Sequence, residues 1–146
     1  MMPILPRITF TEPLMERDHR DRWDLLVGVI GDLSILVGDR VLYQEPYFPI
    51  VELALGMLSW LQDGFSHRGP YESTLLDSED VGMVWIHPHG AGWQIGSIYQ
   101  QYAETTVWSD EAIRSMVLSF ATEVRDRSPV TVRAAVRRLL LLTLLE

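Results

Sequence analysis

The chain predicts an α+β fold, with an antiparallel sheet, two main helices packed on one face and a C-terminal helical tail. Residues 25–45 are rich in valine, isoleucine and leucine, with period-two stretches broken by Gly-Asp pairs, which is the pattern of strands. Residues 109–127 carry one apolar face at helical spacing, with acids at the start and arginines at the end. The order is strands, helix, strands, helix, tail, not the alternation that builds a parallel sheet. A length of 146 residues suits one domain, read as 1–128 followed by a leucine-rich helical tail at 129–146.

Residues 4–10 read as a short strand, and "ERDHRDRWD" as an irregular connection. In "LLVGVIGDLSILVGDRVLYQE", Gly31-Asp32 and Gly38-Asp39 are read as punctuation, the second as a tight hairpin between "LSILV" and "RVLYQ". "PYFPIVELALGMLSWLQDG" reads as a helix, with Pro49 in the first turn and Gly64 as the stop. Its apolar residues cover most of the circumference and leave one narrow stripe of Glu52, Gly56, Ser59 and Asp63. Glu52 is assigned to that exposed stripe; the alternative is a buried general acid or base with a raised pKa. "YESTLL", "VGMVWIH" and "WQIGSIYQQY" are strand candidates separated by "DSED" and "PHGAG". "SDEAIRSMVLSFATEVRDR" is a helix burying Ile113, Met116, Val117, Phe120, Ala121 and Val124, and Ser128-Pro129 breaks it before the tail.

The net charge is −8, and all twelve basic residues are arginine. None lies between Arg68 and Arg114, a stretch that holds Glu72, Asp77, Glu79, Asp80, Glu104, Asp110 and Glu111. Such a surface repels phosphate backbones, which disfavours direct nucleic-acid binding. It attracts a basic protein and speeds the encounter; a solvated acidic face kept for solubility is the equal alternative. Cysteine is absent, so disulfides, thiolate clusters and cysteine nucleophiles are excluded. The first residues carry no secretory pattern and no apolar run is long enough for a membrane span. The expected location is the cytoplasm.

His87 and His89 sit one residue apart in "WIHPHGAGW", so in a regular strand both rings would face one side. A metal site needs further ligands, and the remaining histidines, His19 and His67, lie in expected loops. Pro88 and Gly90 supply turn chemistry, so the segment is read as a hairpin, with a small metal-dependent enzyme as the lesser alternative. Ser97 lacks a nucleophile elbow, and Gly90, Gly92 and Gly96 form no dinucleotide fingerprint. No catalytic constellation, cofactor site or metal site is assigned.

What the later strands offer is aromatic. Trp85, Trp93, Tyr99, Tyr102 and Trp108 are interspersed with Gln94, Gln100 and Gln101 between acidic turns. Tryptophan and tyrosine dominate interface energetics, and an antiparallel sheet can present one face to a partner. The expected partner-binding set is Glu72, Asp77, Glu79, Asp80, Trp93, Gln94, Tyr99, Gln101 and Glu104, with Trp85 and Trp93 as core residues the competing reading. In the tail, Leu139, Leu140, Leu142, Leu144 and Leu145 follow Arg137 and Arg138. They are read as an oligomerisation surface, the alternatives being docking on the domain itself or lying on a membrane surface.

The segments "YQEPYFPIVELALGMLSWL" and "ESTLLDSEDVGMVWIHPHGAGWQIGSIYQ" resemble small bacterial α+β proteins, including single-domain immunity proteins of polymorphic toxin systems. The resemblance covers residues 25–125. It implies a cytoplasmic protein that binds a cognate toxin tightly and blocks it without catalysis; the charge and aromatic pattern adds the expectation that the toxin is basic and is met by an acidic, aromatic-bearing sheet surface. A homo-oligomer assembled through the tail is the alternative.

Overall fold

In a computed structural model of the chain, the described residues are 4–11, 14, 15, 29–62, 69–76, 78–128 and 130–144. The strands are β1 (Pro6–Phe10), β2 (Leu14–Met15), β3 (Val29–Val37), β4 (Arg40–Pro49), β5 (Tyr71–Thr74), β6 (Val81–His89) and β7 (Gly92–Gly96). The helices are α1 (Ile50–Gln62), α2 (Asp110–Arg127) and α3 (Val130–Leu144). The α+β expectation holds, but the strands form two antiparallel sheets. In the first, β3 is central, β4 lies along one side, and β1 and β2 share the other. The second has the order β5-β6-β7.

The Gly38-Asp39 hairpin forms as expected: Val37 pairs with Arg40, and Gly38 takes φ 61°, a region that costs glycine little. Gly31-Asp32 is not a turn. It lies inside β3, where Thr11 donates its N–H to the Asp32 carbonyl at 3.0 Å and accepts the Asp32 N–H on Oγ1 at 2.9 Å. With both Asp32 backbone groups held by Thr11, the strand continues. The irregularity passes to β4, where Pro46 and Tyr47 together oppose Asp32 as a β-bulge. Tyr47 sits at φ 55° there with its ring exposed.

Pro49 ends β4 instead of entering the helix, and α1 starts at Ile50. Its apolar residues are buried nearly all round, as expected of a core helix. The stripe is only partly open, because β5 crosses it. A Cβ on Gly56 would lie 3.2 Å from the Tyr71 hydroxyl. Glu52 is half-buried, and its Oε1 accepts the Leu76 N–H at 2.7 Å. Glu52 thus ties the turn after β5 to α1 and also bears on Tyr71, whose phenol is raised above its ordinary pKa first by burial and then by this carboxylate. The expected stop at Gly64 and the connection at 16–24 lie outside the described residues.

The α2 helix is capped by Ser109, whose Oγ accepts the Ala112 N–H at 3.2 Å, and it buries the six apolar residues its spacing marks. The tail becomes a third helix against both others. Val136, Leu140 and Thr143 are buried; Gln62 donates to Thr143 Oγ1 at 3.3 Å, and Arg114 donates to the Thr143 carbonyl at 3.2 Å. The third strand candidate, "WQIGSIYQQY", is cut short: β7 ends at Gly96 and an irregular segment runs on to Val107.

Candidate functional site

The second sheet has two distinct faces. Tyr71, Ser73, Val84, Ile86, Trp93 and Ile95 point inward and are buried. Glu72, Thr74, Met83, Trp85, His87 and Gln94 alternate with them and face outward. The two tryptophans therefore separate.

Trp93 is a correction to the expected binding set. Its side chain is 4% exposed, its ring meets Trp60 edge-on at 5.3 Å, and its Nε1 donates to Asp110 Oδ1 at 2.7 Å. Position 93 shares the inward parity of Ile95, so it cannot touch a partner across the outer face. Trp85 takes the outer position, stacked on His87 at 4.3 Å with 21° between the ring planes. Its indole lies over Gly96, where a Cβ would clash with it. The signal that could have found it was parity: Val84 and Ile86, two apolar residues on the other side of the strand, leave Trp85 outside.

Of the remaining expected residues, Glu72, Glu79, Asp80, Tyr99 and Gln101 are exposed, and Gln94 and Glu104 are half-buried. Asp77 lies outside the described residues. Glu72 Oε1 meets His87 Nε2 at 3.0 Å, the pair lying beside Trp85. At the other end of β6, Tyr99 donates its hydroxyl to Asp80 Oδ2 at 2.8 Å. That hydrogen bond is the first cause that raises the Tyr99 phenol above its ordinary pKa, followed by desolvation and the charges of Asp80 and Glu45. Val81 and Ile98 flank this pair and are half exposed, at 51% and 50%; Ile98 donates its N–H to the Gly82 carbonyl at 3.0 Å. Sequence reasoning missed both, because apolar residues in strands read as core.

The segment from Ser97 to Val107 is held by its own polar side chains. Gln100 accepts the Ser97 N–H at 3.0 Å and donates to the Tyr102 carbonyl at 2.9 Å. Gln94 donates to the Thr105 carbonyl at 3.1 Å, and Gln101 donates its N–H to the Leu42 carbonyl at 2.8 Å. Two of the glutamines expected to contact a partner thus also fix the loop. Arg40 stacks 3.7 Å over the Tyr102 ring, so the basic-free stretch of sequence has one arginine as a neighbour in space.

Desolvation pushes the Glu104 carboxyl up, but it is outweighed by hydrogen bonds from the Thr106 hydroxyl and N–H, by Tyr102 and by the Arg40 charge. The net pKa lies below the ordinary glutamate value, so this contribution to stability is full above that value and lost as pH falls through the depressed one. Glu104→Gln is expected to flatten the acid side of the stability curve, read by urea midpoints across mildly acidic pH. An unchanged slope would show that the loop contributes nothing there.

His87 and His89 both belong to β6, and the turn is the two-residue Gly90-Ala91, with Gly90 at φ 59°. Pro88 pairs with Trp93 at a position whose backbone faces away from β7, so its missing N–H breaks no ladder bond. No group of three or more His, Cys, Asp or Glu side chains converges among the described residues. His19 and His67 lie outside them.

The expected oligomerisation residues divide. Leu140 is a correction: it is 2% exposed, packed into the helical layer. Leu139 is half-buried against the core, Leu142 and Leu144 are exposed, and Leu145 lies outside the described residues. The buried positions follow from the helical spacing of Val136, Leu140 and Thr143, which turns one face of α3 inward. No helix among the described residues is long and apolar enough to cross a membrane.

The molecule is thus an α+β domain with two antiparallel sheets, the second of which turns Glu72, Trp85 and His87 outward, with Asp80 and Tyr99 in the turns beside it. The chain belongs to the family described as a domain of unknown function, DUF7878, whose pattern matches residues 7–127. That match spans β1 to the end of α2 and leaves out α3. No curated protein and no solved structure matches the chain.

Proposed function

We propose that the protein is a non-catalytic binding module that captures a basic protein on the outer face of the β5-β6-β7 sheet. The observation that carries this reading is the placement of exposed Glu72, Asp80, Tyr99, Val81 and Ile98 around half-buried Trp85. Aromatic and aliphatic groups supply contact energy there, and the carboxylates steer and orient the partner. The preset Tyr99–Asp80 and His87–Glu72 contacts reduce the ordering cost of binding. Together with the resemblance in sequence, these features favour an immunity-type inhibitor of a basic toxin, acting in the cytoplasm.

The test is capture from native lysate at low and high salt, followed by association kinetics with the protein retained. The triple change Glu72→Gln, Glu79→Gln, Asp80→Asn is expected to slow association by about tenfold or more at low salt. A basic partner whose on-rate ignores both salt and this change would overturn the reading. A second reading, self-association through α3, is favoured by Leu141, Leu142 and Leu144, which are 51%, 49% and 58% exposed. Because α3 also buries Val136 and Leu140, it is tested by Leu142→Glu and not by deleting the helix.

A further inference from the structure

We propose that the edge of β1 that no described strand pairs and the adjoining stripe of α2 form a self-complementary interface that pairs two copies of this chain about a two-fold axis. The surface is distinct from the sheet face proposed to bind a basic partner and from the exposed leucines of α3.

The backbone sets the register. Thr11 donates its N–H to Asp32, so Thr11, Thr9 and Arg7 turn their backbone groups toward β3. Pro6, Ile8 and Phe10 turn theirs to the other edge, where no described strand pairs with β1. On that edge the Phe10 carbonyl accepts Arg127 Nη1 at 3.1 Å. Among the described residues nothing bonds the Ile8 N–H and carbonyl, the Phe10 N–H or the Pro6 carbonyl, which that edge thus offers. An antiparallel second copy centred on Ile8 uses all four. Ile8 pairs with the second copy's Ile8, and each Phe10 N–H meets the other copy's Pro6 carbonyl. The donor that proline lacks falls opposite the acceptor that Arg127 already occupies, so no backbone group at the pairing is left unmatched.

The α2 helix repeats the symmetry beside this edge, across a groove of about 810 Å³. Ala112 lies near Leu5 and Pro6 at one end, and Arg127 reaches Phe10 at the other. Ser119 therefore stands level with Ile8, and both line the groove. An axis beside Ile8 and between Leu118 and Ser119 sets the helices of the two copies antiparallel. Glu111 then faces the second copy's Arg127; Arg114, which also donates to its own Thr143 carbonyl, faces the second copy's Glu123, a carboxylate 4.0 Å from Arg127 of its own helix. Between them Ser115 faces Thr122, and Leu118 faces Ser119. A two-fold interface must be complementary to itself, and the charges of this stripe are ordered to satisfy that condition. Pairing joins the two three-strand-wide sheets into one six strands wide and covers an edge that no described strand pairs, and so guards it against unspecific strand addition.

The experiment is sedimentation of the full chain, with circular dichroism as the check on folding. The wild-type protein is expected at twice the chain mass. Ser119→Arg, at an exposed position, brings two like charges together beside the axis and is expected to halve the mass while leaving the helical signal and capture of the basic partner unchanged. Ser119→Cys, in a chain without native cysteine, is expected to give a covalent dimer on oxidation. A wild-type protein at single-chain mass overturns the proposal. So does a dimer that survives Ser119→Arg but dissociates with Leu142→Glu, which would place the contact on α3.

Discussion

Trp93→Ala is expected to destabilise the protein by about 3–5 kcal/mol, among the largest effects of a single core truncation. The indole fills the space between α1 and the second sheet, touching Trp60 edge-on, and a buried aromatic of this size removes about 150–250 Å² from water. At ~25 cal/mol per Å² that area alone accounts for most of the expected loss. The hydrogen bond to Asp110 adds to it, since truncation leaves a carboxylate at the start of α2 without its indole donor. For a chain of this length the loss corresponds to a fall in melting temperature of about 8–16 °C. A urea midpoint unchanged from wild type would show that the sheet is not anchored to the helices through this residue.

Gly92→Ala is expected to cost about 3 kcal/mol for a different reason. Nothing is removed; a methyl group is forced into occupied space. A Cβ at position 92 would collide with the Trp108 carbonyl oxygen and lie 2.7 Å from Val107 Cγ1. The first obstacle is backbone held in place by the reciprocal Trp93–Trp108 hydrogen bonds at 2.9 and 2.7 Å, so it cannot swing aside as a flexible side chain would. The substitution should therefore pull the segment before α2 off the sheet, which hydrogen exchange at Trp93 and Trp108 would detect as lost protection. Ala at 92 with retained protection and an unshifted midpoint would sink this account.

The elements that were legible in the sequence owe their form to local physics. The α2 helix carries its own cap, end charges and apolar stripe, and the Gly38-Asp39 hairpin carries its own turn residues. The Gly31-Asp32 pair looked the same locally, but a distant residue, Thr11, satisfied its backbone and kept the strand straight. The two-sheet arrangement was not visible, because strand signals say nothing about which strands pair. For the proposed binding face, the acidic set was readable as a charge pattern. The inside and outside assignments of Trp93 and Trp85 rested on register, which depends on the partner strand. Leu140 was lost among neighbours of identical type, since six leucines in the last eight residues blur the phase of the helix. The exposed Ile98 and Val81 break the usual apolar-inside expectation, as contact surfaces do.

The bonds that close β1 have a consequence for how the chain is made. Trp108 donates its indole N–H to the Ile4 carbonyl at 3.2 Å, and Arg127 covers Phe10, partners 104 and 117 residues apart. A ribosome adding roughly 5–20 residues per second releases the first strand many seconds before its covering helix exists. During that interval β1 can already lie against β3, while its second edge waits bare. The order of synthesis thus leaves the Phe10 carbonyl without Arg127 while the intervening residues are made. The Phe10 carbonyl gains its cover only with the emergence of the arginine at position 127.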